Sequence, residues 1–324
     1  MRVLITGGAG FLGQRLARRI LSDGHLALPD GTELLRPELV LADRPGGTLA
    51  PDLAGRVSHI DLDISDAAGL TQALEGVSAV YHLAAVVSAQ AEAEFDLGYH
   101  VNLDGTRVLL EAMRGAGQML PIVSTSSLAV FGASASEPLS ESTAAQPANS
   151  YGAAKAMAEI LMSDYRRKGF AEARTLRLPT IIVRPGAPNA AASSFASSIF
   201  REPLAGQPAR CPVDPGLPMW VASPDTAVDA MVHAMRVPVT DWPEFSALNV
   251  PGLTATVAEM LEALQEQGGI AARDRVTLDP DPAIEAIVAG WPARFDTSLA
   301  KRLGFNALEQ QISEIVARHI AEVG

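Results

Sequence analysis

Tyr151 and Lys155 stand one helical turn apart in Tyr151-Gly152-Ala153-Ala154-Lys155, inside a helical pattern over residues 151–167. On a helix, positions i and i+4 share a face. An ammonium beside a phenol favours the phenolate and lowers the phenol's pKa. A phenol tuned that way can serve as a general base near neutral pH. The same lysine can hold a ribose. Upstream, Ser124-Thr125-Ser126-Ser127 sets hydroxyls at the end of an apolar run. One of them could hydrogen-bond a substrate oxygen and orient it. Tyr-x-x-x-Lys pairs also occur on ordinary helix surfaces, so the pair needs elements that bring it to a ligand.

The start of the chain supplies such an element. Met1-Arg2-Val3-Leu4-Ile5 reads as a strand, followed by Thr6-Gly7-Gly8-Ala9-Gly10-Phe11-Leu12-Gly13 and a helix with Leu16, Ala17, Ile20 and Leu21 on one face. Strand, glycine turn and helix in that order make a dinucleotide-phosphate site. Gly7 permits the tight turn, Gly10 lets the backbone approach a pyrophosphate, and Gly13 lets helix and strand pack closely. The helix start presents free N–H groups and a positive dipole end to the anion.

Further candidates follow the next strand-like runs. Asp43 ends Leu39-Val40-Leu41-Ala42. A carboxylate there can accept both ribose hydroxyls of an adenosine and repels a 2′-phosphate, which argues for NAD over NADP. Arg44, next to it, can neutralise a phosphate and softens that preference. Roughly twenty residues normally separate the turn from this acid. Here the gap is longer, and Gly24–Pro37, with its Pro29-Asp30-Gly31 turn, reads as a loop inserted after the first helix. Asp63-Ile64, after Val57–Ile60, is placed to touch an adenine. Leu83-Ala84-Ala85, after Ala79–Leu83, is small enough for a cofactor to lie across.

Runs at Pro121–Thr125 and Arg174–Leu178 complete six strands, alternating with helical segments at 67–74, 99–116 and 151–167. This alternation predicts an α/β fold, a Rossmann-like doubly wound parallel sheet whose strand ends share one ligand-binding edge. After Pro185 the texture changes, with dense prolines and small residues through Gly186–Pro218. Helices are expected at Asp225–Met235, Val257–Gln267, Ser298–Leu303 and Leu308–Val323, and a strand at Phe245–Val250. The expected division is an NAD-binding unit over 1–183, rejoined by 226–250, and a smaller discontinuous substrate lobe from 184–225 and 251–324.

The net charge of −12 argues against general nucleic-acid or anionic-membrane binding. It leaves room for an anionic substrate in a locally positive pocket. Cys211 is the single cysteine, so neither an intrachain disulfide nor a thiolate metal cluster is expected. The six histidines lack metal-ligand spacing, and no metal is expected. The strand at Arg2 leaves no room for a signal peptide, and no apolar stretch is long enough to span a bilayer. The expected location is the cytoplasm.

The chain resembles the extended short-chain dehydrogenase/reductase superfamily over nearly its whole length. The resemblance rests on the glycine turn, His82-Leu83-Ala84-Ala85, Asn102 with Gly105-Thr106, Ser126-Ser127 before Val130-Phe131-Gly132, Tyr151 with Lys155, Leu178-Pro179, and the final Asp296–Phe305. It implies NAD as cofactor, with Ser127, Tyr151 and Lys155 as the catalytic set. Alignment on Val130-Phe131-Gly132 selects Ser127, with Ser126 the alternative one step away. It implies cofactor contacts from Gly7, Gly10, Phe11, Leu12, Gly13, Asp43, Asp63, Ile64, Leu83, Ala84, Ala85, Asn102, Tyr151, Lys155, Pro179 and Ile181. Substrate contacts are expected from Ser88, Ser126, Ser127, Tyr151, Asn189 and Ser193. It further implies a homodimer in which the helix near Asn102 and the Tyr151 helix build a four-helix interface.

Within the superfamily, Pro188–Phe195, Arg201-Glu202-Pro203-Leu204 and Trp220-Val221-Ala222-Ser223-Pro224 resemble the D-erythronate dehydrogenase group. That implies NAD-dependent oxidation of the C2 hydroxyl of a small anionic sugar acid. A sugar-nucleotide epimerase or dehydratase with tightly held NAD is a second reading, although Ser127-Leu128-Ala129 offers no acid pair of the kind a dehydratase uses. A non-catalytic NAD sensor or scaffold is a third; that class often lacks the Tyr/Lys pair kept here. The substrate carboxylate is expected at the start of a helix from about Ala191 to Arg201, near Asn189, Ser193 and Ser194. Those serines can equally act as helix caps. A neighbouring loop could instead bring in Arg184 or Arg210.

Overall fold

A computed structural model of the chain describes residues 1–132, 138–184, 192–245 and 247–323. Seven strands form one parallel sheet in the spatial order Ala247–Asn249, Ala171–Leu178, Leu120–Ser127, Val77–His82, Arg2–Thr6, Glu38–Asp43 and Ser58–Asp61. The strands alternate their side chains between two layers. Val3, Ile5, Leu39, Leu41, Ala79 and Tyr81 enter one, and Leu4, Val40, Val80 and Ile122 the other. Both faces are covered, which is why the strands read as near-continuous apolar runs. The helices Phe11–Asp23 and Pro224–Arg236 close the first layer with Leu16, Ile20, Met231 and Met235. Helices Ala67–Ala73, Thr106–Gly115 and Ser150–Arg167 close the second with Leu70, Leu110, Met113 and Met162. Truncating one of these side chains to alanine costs about 2–5 kcal/mol.

The strand order turns around between Arg2–Thr6 and Val77–His82. The chain builds one side of the sheet from its first strand and then the other, which opens a crevice at the carboxyl ends of these two strands. Register sets what reaches that edge. Thr6 lies opposite Ala42 and His82, Asp43 opposite Asp61, and Ser127 opposite Leu178.

A second core lies beyond the edge. Pro218–Ala222 pairs with Leu253–Thr256 and with Thr180–Ile181, which directly follows the strand Ala171–Leu178. Ala209–Cys211 pairs with Val276–Leu278. Helices Phe195–Leu204, Val257–Gly268 and Ile312–Val323 pack around these strands through Phe195, Ile199, Phe200, Met260, Leu264 and Val316. Thr256 and Glu259 form a capping box that starts the second of these helices. No helix among the described residues is long and apolar enough to cross a membrane.

Three elements differ from the sequence expectation. The segment Gly24–Pro37 is a β-hairpin of His25–Ala27 and Glu33–Leu35, not a loop. Asp30 Oδ1 accepts from the Thr32 N–H at 2.9 Å in its turn, and Leu26 and Leu34 are buried in the first layer. The helix expected over 99–116 is Phe95–Tyr99, a π-helical stretch His100–Gly105, and Thr106–Gly115. Gly105 faces Ile64 there, and a Cβ would fall 2.5 Å from Ile64 Cγ2. The last helix starts at Ile312 rather than Leu308. The residues before it reach back to the Pro224–Arg236 helix, where the Thr226 hydroxyl donates to Glu309 and accepts from the Leu308 N–H.

Candidate active site

The glycine turn lies at the point where the strand order reverses. Gly7 has a φ of +69°, and a Cβ there would sit 2.6 Å from the Ala84 nitrogen. A Cβ on Gly13 would sit 2.4 Å from the Gly7 carbonyl oxygen. Side chains are therefore excluded where strand, helix and the Leu83–Ala85 loop converge. The backbone is left open to a flat, charged ligand.

Two joined cavities share Gly7, Gly10, Leu83, Ala85 and Val87. One is lined by Asp43, Asp63, Ile64 and Ala84. The hairpin insertion does not displace Asp43. Its carboxylate accepts from the Ala9 N–H and the Arg44 N–H, each at 2.9 Å, and so ties the second strand to the glycine turn. Asp63 accepts from the N–H and hydroxyl of Ser65, which hold its carboxyl below the usual range. A carboxylate beside a side-chain-free cradle fits the adenosine half of NAD.

The other cavity, of about 290 Å³, is lined by Phe11, Leu12, Gly13, Ser88, Ser126, Ser127, Tyr151, Lys155, Pro179, Ile181 and Ser193 among others. The sequence-selected residues thus converge, although they come from six separate stretches of chain. Ser127 ends its strand, while Asn149 caps the Tyr151 helix by accepting from the Gly152 N–H at 2.8 Å. A Cβ on Gly152 would lie 2.0 Å from the Ala129 carbonyl oxygen, so glycine lets the helix start close against the serine loop.

The phenol of Tyr151 and the Ser127 hydroxyl line the same cavity. Burial raises the Tyr151 pKa, whereas the neighbouring Ser127 hydroxyl and the charge of Arg184 act to lower it. Arg184 thus adds a positive charge at the phenol that the Tyr-x-x-x-Lys spacing did not point to. The Lys155 ammonium instead donates to the Thr125 carbonyl at 2.9 Å. Burial pushes it down to about 8, opposed by the charge of Glu159.

Ser126 has a different position from its neighbour. Its hydroxyl donates to Glu159 Oε1 at 2.6 Å, and Glu159 forms a buried ion pair with Arg177 at 2.7 Å. Arg177 also lies over the Phe131 ring at 4.8 Å. Ser126 thus anchors the floor of the cavity, and Ser127 is the serine at the phenol.

Asn102, expected among the cofactor contacts, lines neither cavity. Its carboxamide is buried and bonds both backbone atoms of Val86. Asn189 lies outside the described residues. Ser193 reaches the cavity from the turn Ala192–Ser194, and Ser88 Oγ lies 3.4 Å from the Ala192 nitrogen. Arg210 is paired with Asp279 away from the site. Arg184 does line it, and so does Trp291, whose buried indole N–H has no partner among the described residues. Trp291 escaped the sequence reading. Its one signal is a tryptophan in the irregular Gly290-Trp291-Pro292 stretch.

These features agree with what the chain is similar to. The model of the NAD dependent epimerase/dehydratase family matches residues 3–243. The chain is 46% identical over 325 residues to a D-erythronate dehydrogenase of Cupriavidus necator, covering 100% of this chain and 99% of that protein. It is 42% identical over 308 residues to a D-erythronate dehydrogenase of Haemophilus influenzae, covering 94% of each. A crystal structure described as a nucleoside-diphosphate-sugar epimerase from Agrobacterium tumefaciens has a TM-score of 0.89 at 38% identity, covering 100% of this chain and 94% of that one. With a glycine turn at the reversal of a parallel sheet, an acid at the adenosine end and a Ser127–Tyr151 pair beyond it, this chain belongs to the NAD dependent epimerase/dehydratase family.

Proposed function

We propose that this chain is an NAD-dependent dehydrogenase that oxidises the C2 hydroxyl of a small sugar acid of the D-erythronate type to the 2-oxo acid. The observation that carries the reading is that Ser127, Tyr151 and Lys155 line one cavity, which shares Gly7, Gly10, Leu83, Ala85 and Val87 with the Asp43 cavity. Similarity to the two D-erythronate dehydrogenases over nearly the full chain supports the substrate class.

In this mechanism Ser127 donates to the substrate oxygen and fixes its distance from the phenol. Tyr151 Oη takes the hydroxyl proton as general base. Lys155, held by the Thr125 carbonyl, would reach the nicotinamide ribose. Bound across the glycine turn, NAD supplies the acceptor for the hydride leaving C2. Pro179 and Ile181 form an apolar wall at the cofactor's inner end, and Ser88 and Ser193 face the substrate.

The arrangement divides the labour between a nucleotide-binding unit, 1–183 with 226–250, and a substrate lobe, 184–225 with 251–324. The chain is a cytoplasmic homodimer in this reading. Phe95 and Ile160, exposed at 55% and 62%, sit on the two helical segments that would build the interface.

The test is to incubate the protein with NAD and C4–C6 aldonates and uronates, following NADH absorbance. D-Erythronate or a close aldonate should give stoichiometric NADH. Interconversion of a nucleotide sugar without NADH release would overturn the reading in favour of an epimerase.

A further inference from the structure

Arg184 is the one basic residue between Arg177 and Arg201 in the sequence, and it lines the same cavity as Ser127, Tyr151 and Lys155. Its main chain is fixed at both polar groups. The N–H donates to Ser197 Oγ at 3.1 Å, and the carbonyl accepts from Arg201 Nη1 at 2.8 Å. Its side chain has one long contact, from Nε to Ser197 Oγ at 3.5 Å. Among the described residues, its terminal Nη groups have no hydrogen-bond partner, and no carboxylate lies within ion-pair distance.

The neighbouring inward arginines are different. Arg177 has Glu159, Arg174 has Glu172 with the carbonyls of Ala234 and Val237, and Arg201 has Glu202. Removing a guanidinium from water without a counter-charge is unfavourable, and a nearby like charge adds to the cost. Arg201 is such a charge; together with burial it lowers the Arg184 pKa. A ligand anion would offset both effects. Arginine's planar fork of donors matches a carboxylate in two parallel bonds.

Resting on the sugar-acid reading above, we propose that Arg184 binds the substrate carboxylate and thereby selects 2-hydroxy acids. The carboxylate carbon of such an acid is bonded directly to the carbon carrying the reacting hydroxyl. A carboxylate held at Arg184, in the cavity of Tyr151, presents that adjacent hydroxyl to the phenol. Acids whose hydroxyl lies further along the chain would present a different carbon. The anion is thus held by a side chain leaving the sheet edge, rather than by the helix start near Ser193.

The test measures binding of D-erythronate to the NADH complex by calorimetry, and turnover with NAD, for the wild type, Arg184→Gln and Arg184→Lys. D-Erythronolactone is the neutral probe. Arg184→Gln should raise Kd and KM for D-erythronate roughly 10- to 100-fold, the scale of a lost charged hydrogen-bond pair. Arg184→Lys, which keeps the charge but not the fork, should fall between. NAD affinity, melting temperature and lactone binding should stay near wild type. Equal D-erythronate affinity in all three proteins would overturn the proposal, as would equal losses for acid and lactone. If Arg184→Gln melts early, Arg184→Lys decides by the same criteria. A wild type that binds D-erythronate through Arg184 but forms no NADH would keep the anion site and remove the oxidation reading. A wild type that binds no C4–C6 aldonate would remove the anion site.

Discussion

Asn102 holds Val86 by both of its backbone polar atoms: Oδ1 accepts from the Val86 N–H at 2.8 Å and Nδ2 donates to its carbonyl at 3.0 Å. Val86 follows the Leu83–Ala85 loop over which the cofactor would lie. The clamp continues into the sheet. Thr106 Oγ1 donates to the Asn102 carbonyl and pairs with His82 Nε2 at 3.0 Å, while His82 Nδ1 pairs with Thr6 Oγ1 at 2.8 Å. Because the Thr106 hydroxyl proton is engaged, its oxygen accepts from His82, which is then the Nε2–H tautomer. Burial, reinforced by the charge of Lys155, pushes the His82 pKa down to about 3 and keeps the ring neutral.

Asn102→Ala leaves two buried backbone groups without partners, at roughly 1–3 kcal/mol each. Stability in a denaturant titration should therefore fall by about 2–6 kcal/mol. NAD affinity should fall with it as the loop relaxes, while turnover at saturating NAD changes little. Unchanged stability would show that water replaces the carboxamide.

Tyr151→Phe should keep the fold and NAD binding and lower turnover by about 10²–10⁴-fold, the usual contribution of general acid–base catalysis. Steady-state rates at saturating substrate decide the matter. More than about a tenth of wild-type turnover would exclude Tyr151 as the base.

Asp43→Ala removes a ribose acceptor and the repulsion of a 2′-phosphate together. Binding of NAD should weaken by roughly 1.5–3 kcal/mol, and the gap to NADP should narrow. Because Asp43 also accepts from Ala9 and Arg44, Asp43→Asn is the control that retains an acceptor for the turn. Calorimetry with both cofactors separates the two effects.

Lys155 gives a pH signature. Its folded pKa of about 8 lies below its ordinary value of 10.5. The unfolded chain therefore binds more protons between these limits, and the lysine's contribution to stability rises with pH across that window. It is fully present above 10.5 and lost as pH falls through 8. Without NAD, the stability of Lys155→Met relative to wild type should be highest below pH 8 and decline steadily toward pH 10.5. A flat difference would place the ammonium in contact with water.

Strand and helix order were legible because strands covered on both faces must be apolar, and the glycine turn marked where the sheet edge binds a nucleotide. Tyr151 and Lys155 stand out by their i, i+4 spacing on a helix, whereas Ser127 stands out from its neighbouring hydroxyls only through the resemblance at Val130-Phe131-Gly132. The bond of Asn102 to Val86 was not legible, because a side chain's direction inside a π-helical turn has no local sequence pattern. Arg184 has no such spacing signal, because it reaches the cavity from the chain that follows the strand ending at Leu178. Trp291 comes from the irregular stretch after residue 289, where no periodicity exists to follow.

The hairpin of His25–Ala27 and Glu33–Leu35 shows how a fold can lengthen without re-tuning its chemistry. Its ends stay with the first helix and the second strand, and Leu26 and Leu34 anchor it to the existing core. Asp43 still meets the Ala9 N–H. What is held constant between turn and acid is a distance across two adjacent strands, not a count along the chain. A ruler laid on the sequence misjudges this molecule, and one laid across the sheet does not. The same corner of the sheet is therefore a place where segments can be grafted or trimmed in the laboratory with the nucleotide end left in register.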